Sequence, residues 1–199
     1  LLTALLGGLS VGVPLLLFAL SIRDAQSLAR FWTLHADALR HSAALASVVG
    51  LLAALLGAAF AYTIGAAPLA HPRRAARTTL LLAPFLAGAI LPGVLLGSAT
   101  LEAWSALAAL PGLHHLTDSP AIVVATHLAR FGGLAAIVGL ALSATEPAEL
   151  IAARAIHGAT GPLAWASTRP PAAWAALLGL GLATALLSLH EIESAVIVQ

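Results

Sequence analysis

Five stretches of the chain are apolar at nearly every position: about 1–20, 43–66, 79–101, 120–143 and 172–192. Each reaches the roughly 20 mainly apolar residues that a membrane-crossing helix needs. Between them lie more polar stretches. Residues 21–42 carry Arg23, Asp24, Arg30, Asp37, Arg40 and His41, and 67–78 carry Pro68, Pro72, Arg73, Arg74 and Arg77. Residues 102–119 hold Pro111, Gly112, His114, His115 and Asp118, and 144–171 form the longest polar interruption after the second span. Pro84 and Pro92 fall inside the third span and are expected to kink or break it. The pattern predicts an all-α, polytopic transmembrane helix bundle of about five spans, one domain over residues 1–199.

Composition sharpens this picture. Of 199 residues, 60% are hydrophobic and 9% charged, against roughly 25% charged in a soluble domain. The mean hydropathy is +0.99. A soluble enzyme, a disordered chain and a nucleic-acid binder are excluded, the last because a net charge of +1 offers no field to a polyanion. With no Cys there is no disulfide framework or thiolate site. The lack of Met, at position 1 included, leads us to expect a fragment of a longer chain. The leading Leu-rich run lacks the basic start and the small-residue cleavage site of a signal peptide. Counting Arg in short loops puts 67–78 and 144–171 on the cytoplasmic side, with Arg73, Arg74, Arg77, Arg154 and Arg169 against Arg23, Arg30 and Arg40 opposite. Gly8 with Gly12, and Gly93 with Gly97, stand at G-x-x-x-G spacing; they read either as close helix contacts or as a general surplus of glycine.

Most catalytic motifs fail on inspection. His190-Glu191 opens like H-E-x-x-H, but Ser194 stands where the second His belongs. Gly8-Leu9-Ser10-Val11-Gly12 matches G-x-S-x-G inside an apolar span, without the strand-to-helix turn that a nucleophile elbow needs. A chain without Lys has no Walker lysine, so any ATP chemistry must reside on another polypeptide. No cofactor is expected.

The informative region is 144–171. Thr145 is a candidate N-cap, with Glu146, Pro147 and Glu149 suited to a first turn. The helix runs over 146–157 and stops at Gly158; Pro162 opens a second short helix to about Ser167, and Pro170-Pro171 precedes the next span. A compact cytoplasmic helix–turn–helix along the membrane surface is expected, since the segment is long for a plain connector.

This loop resembles the "EAA" loop in permease subunits of binding-protein-dependent ATP-binding-cassette importers. That pattern is E-A-A, three residues, Gly, nine residues, then I-x-L-P, and Gly158 to Pro171 has the matching separation. Ala152-Ala153-Arg154 resembles the A-A-R found upstream, one residue further from Gly158; Ile151 occupies the acidic position and Glu149 lies two residues earlier. Thr168 and Pro170 replace Ile and Leu. The resemblance runs from about Phe31 to Val198, and 188–195 is similar to the S-L-G-E-F-G-A-T stretch of members importing inorganic ions, iron or thiamine, with His190 and Glu193 in place of glycines.

The resemblance implies a transport subunit, not an enzyme, of the bacterial inner membrane. It implies a cytoplasmic ABC ATPase dimer, a second permease subunit or half, and a periplasmic or lipid-anchored substrate-binding protein as partners. Glu149, Ala152, Ala153, Arg154, Gly158 and Pro171 would form the ATPase-coupling loop, with alternating access as the mechanism. A self-sufficient secondary transporter or channel is the alternative.

His127 and Arg130 share one face of the fourth span, where a charged group costs at least about 2.5 kcal/mol near mid-membrane. With Glu191 they read as a translocation path, or else Arg130 snorkels to the outer interface. His190, Glu191 and Glu193 either guide a cation or mark that interface. His114, His115 and Asp118 carry metal-loving groups, but three residues on a solvated loop do not make a metal site.

Overall fold

A computed structural model describes residues 25–65, 72–111, 119–159 and 161–191, together with Val13, Leu16, Leu17 and Leu20. The Gly8–Gly12 pair, His114, His115, Asp118, Glu193 and most of the first predicted span lie outside the described residues. The chain divides into two units, 1–42 and 43–199. In the first, Val13, Leu16, Leu17 and Leu20 are helical and exposed.

The described elements are all helical: α1 (Ala25–Ile64), α2 (Pro72–Ile90), α3 (Gly93–Ala108), α4 (Ala121–Ala144), α5 (Ala148–Ile156), α6 (Pro162–Ser167) and α7 (Pro171–His190). Three of these are long and apolar enough to cross a membrane: α1 over Leu28–Ile64, α4 and α7. They correspond to the second, fourth and fifth apolar runs of the sequence.

Two boundaries differ from expectation. The polar stretch 21–42 is helical from Ala25 onward and continuous with the apolar run after it. Polarity there does not interrupt the backbone, because 25–49 contains neither Pro nor Gly and is rich in Ala, Leu and Arg, all good helix formers. α1 instead ends at Gly65, whose φ of 69° is the left-handed conformation that glycine adopts at no steric cost. The third apolar run is divided between α2 and α3 at Leu91-Pro92. Pro92 has no N–H to continue the ladder, whereas Pro84 stays inside α2.

Within the second unit, α4 packs against α2, α3 and α7. The approach is close because glycines line it. Between α2 and α4 a Cβ on Gly88 would stand 2.4 Å from the Ala129 carbonyl oxygen, and between α4 and α1 one on Gly139 would stand 2.5 Å from the Phe60 Cβ. α1 meets α7 in the same way, a Cβ on Gly50 falling 2.4 Å from the Gly181 oxygen. Without an apolar solvent contrast to drive association, such backbone proximity is how membrane helices gain dispersion energy. Phe60, Leu82, Ala135, Ala136 and Leu180 form the core that results, with Phe60 and Phe85 edge to face at 5.1 Å. Leu51, Leu55, Leu178, Leu182 and Leu186 face outward and exposed, as lipid-facing positions do.

Candidate functional site

Two polar clusters interrupt the apolar bundle, both in the second unit. The first lies where α4 ends and the two short helices begin. Thr145 does not cap α5; its hydroxyl turns back to the Ala141 carbonyl oxygen at 2.9 Å, and Pro147 occupies the N-cap position. Three residues, Thr145 to Pro147, therefore separate α4 from α5, and Glu146 falls in the gap. Its carboxylate is 2% exposed.

That carboxylate accepts from two arginines. Arg154, in the last turn of α5, donates to Oε1 and, at 3.1 Å, to the Thr168 hydroxyl. Arg169, between α6 and α7, donates to Oε2 at 2.8 Å and to the Leu142 carbonyl oxygen at 3.2 Å. The Arg154 and Arg169 side chains are 12% and 4% exposed. Arg169 also lies 4.3 Å over the Trp165 ring, and Trp165 meets Tyr62 of α1 edge to face at 6.1 Å. Burial pushes the Arg169 guanidinium below its ordinary range, Glu146 opposing the shift and Arg154 reinforcing it; an arginine nevertheless keeps its charge. One carboxylate thus fastens α4, α5 and α6 together. Nearby, the Ser143 hydroxyl donates to the Gly65 carbonyl oxygen at 2.6 Å, joining the ends of α4 and α1.

The fastened segment presents a different face outward. Glu149, Ala152 and Ala153 are exposed on α5, as are Ile156 (81%) and, on α6, Leu163 (85%). Gly158 has a φ of 63°, with open space around it. Pro171 is the first residue of α7. Of the residues expected to couple to an ATPase, Arg154 alone points inward, and the acid it meets is Glu146 rather than Glu149. Sequence reasoning placed Glu146 at the helix start and Arg169 in the charge count, but did not pair them. The signal available was that Arg154 and Arg169 are the only cations of a mainly apolar segment.

The second cluster joins α4 to α7 and to the α2–α3 break. The buried His127 Nδ1 lies 2.6 Å from the Ser188 Oγ, its Nε2 having no partner among the described residues. One turn on, Arg130 donates to the Leu91 carbonyl oxygen at the break and lies 3.8 Å from Glu191. The three residues expected along a translocation path are therefore gathered at one level, with Ser188 added. His190 stands apart, exposed, against the Leu186 carbonyl oxygen of its own helix. No metal-holding group of three or more His, Asp or Glu side chains occurs among the described residues.

No protein-family model, curated protein or solved structure matches this chain.

Proposed function

We propose that the chain is the membrane-spanning permease subunit of an ATP-binding-cassette importer in a bacterial inner membrane. It moves a small solute, iron or another inorganic ion, by alternating access, with ATP hydrolysed on a separate cytoplasmic ATPase dimer. A second permease subunit or half and a periplasmic or lipid-anchored binding protein complete the assembly. In this reading the spans number five, α2 and α3 together making the third, and 144–171 is the cytoplasmic coupling loop.

The observation that carries the reading is the build of that loop. A lever must be stiff where it joins the membrane bundle and bare where it is gripped. The Glu146–Arg154–Arg169 cluster supplies the first property, and the exposed Ala152, Ala153, Ile156 and Leu163 supply the second.

The absence of native Cys makes the test direct. A chain carrying Ile156→Cys should cross-link to a co-purifying ATPase, and Gly158→Val should lower uptake while leaving ATP hydrolysis running. Cross-linking only from the outer face, or to no nucleotide-hydrolysing neighbour, overturns the proposal. A secondary transporter or channel is the second reading, favoured by the His127–Ser188 and Arg130–Glu191 contacts between α4 and α7; solute uptake by this chain alone in liposomes would establish it.

A further inference from the structure

A cavity of about 360 Å³ opens beside the first cluster and takes no part in it. Thr63, Ile64 and Gly65 from the end of α1 line it, with Arg74, Arg77, Thr78 and Leu81 from the first turns of α2 and Ile151 from α5. Its volume falls within the roughly 300–1,000 Å³ range of small-molecule sites. The formal charges of its lining are those of two arginines, joined by the hydroxyls of Thr63 and the buried Thr78. The rest of the wall is aliphatic, from Ile64, Leu81 and Ile151.

We propose that this cavity binds the phosphate-bearing headgroup of an anionic membrane lipid. The chemistry of recognition is donation to phosphate oxygens from the two guanidinium groups, for which Arg is well shaped, and from the Thr78 hydroxyl, the Thr63 hydroxyl being donated to the Ala59 carbonyl oxygen of its own helix. Free phosphate shares that chemistry, and two features select the lipid. The site sits at the terminus of α1, a helix apolar and long enough to cross a membrane, which is headgroup level for such a helix. Three of its eight lining residues, Ile64, Leu81 and Ile151, are aliphatic and give an acyl chain an apolar wall beside the donors. Basic pockets between helices at a membrane surface bind acidic headgroups in this manner. The binding would also tie α1, α2 and α5 to one ligand. This inference does not depend on the transport proposal, needing only that the bundle lies in a bilayer.

The test uses the full chain in detergent micelles, titrated by native mass spectrometry with phosphatidylglycerol, phosphatidylcholine and inorganic phosphate. Phosphatidylglycerol should be retained in preference to phosphatidylcholine. Arg74→Gln with Arg77→Gln should weaken it about thirtyfold, the figure for two basic side chains at a membrane surface. Arg73→Gln, outside the cavity lining, should change it less than about threefold. Thr63→Trp keeps both guanidinium groups and fills the space, and should lose the lipid as the double variant does. Wild-type retention in both cavity variants overturns the proposal. So does an equal loss in Arg73→Gln, which signals diffuse attraction, or displacement of the lipid by inorganic phosphate, which signals a soluble anion.

Discussion

Glu146→Gln removes one charge from the buried cluster and almost no volume. At 2.8 Å, and with an effective dielectric of about 20, the attraction between Glu146 and Arg169 is about 6 kcal/mol. The amide still accepts one hydrogen bond, returning about 1 kcal/mol. What remains is two guanidinium groups facing each other, one of them only 4% exposed, and removing one partner of a buried pair costs about 3–5 kcal/mol. Arg154 lies within this segment, and trypsin does not cut after Arg169 because Pro170 follows. Tryptic nicking at Arg154 therefore reports local opening of α5 and α6. The nicking rate should rise roughly 140- to 3,700-fold in Glu146→Gln, since each 1.4 kcal/mol is a factor of ten. A rate within about threefold of the parent would refute the argument that this carboxylate fastens the segment. A triple replacement, Glu146→Leu with Arg154→Leu and Arg169→Met, removes every charge of the cluster and should leave the thermal midpoint in detergent nearly unchanged, as apolar replacement of buried ion pairs often does.

Three further outcomes are expected. Gly139→Ala should destabilise the bundle by about 1–3 kcal/mol in denaturant titration, because its Cβ meets Phe60 and the Gly57 oxygen; Gly179→Ala, with nothing within 4 Å, should be neutral or stabilising, and equal losses would refute the packing account. Ser188→Ala should cost about 1–3 kcal/mol in the same titration by leaving both ring nitrogens of the buried His127 unpartnered; an unchanged midpoint would show that the contact carries no weight. Gly158→Val should raise tryptic nicking at Arg154 by a backbone cost of roughly 1–2 kcal/mol, and Gly158→Asn should recover most of it, whereas equal behaviour of the two would point away from the left-handed turn.

How much could be read beforehand depended on the range of the interactions. α4 and α7 were legible because their apolar character is continuous over the thickness of a bilayer. The limits of α5 and α6 were nearly so, since Gly158, Pro162 and Pro170 act on their own backbone and need no partner. Thr145 misled because a hydroxyl has two local uses, capping the helix ahead or bonding the carbonyl four residues behind, and sequence does not choose between them. The helical start of α1 was hidden by its charges, although the residues themselves favour helix. Glu146 was hidden for another reason: Arg169 lies 23 residues away, and only the path of the intervening chain brings them together. The meeting of Arg130 with Leu91 had no local signal at all, being set by where Pro92 breaks the helix.

That last contact also orders events in time. A ribosome delivers the chain from the N-terminus, so the carbonyl oxygen of Leu91 exists before Arg130 is made, and Glu191 only long afterwards. A nascent span carrying a guanidinium group is thus met by an acceptor already waiting, freed by the proline beside it. The counter-ion arrives at the end of α7, and neutralises a charge that has by then been lodged.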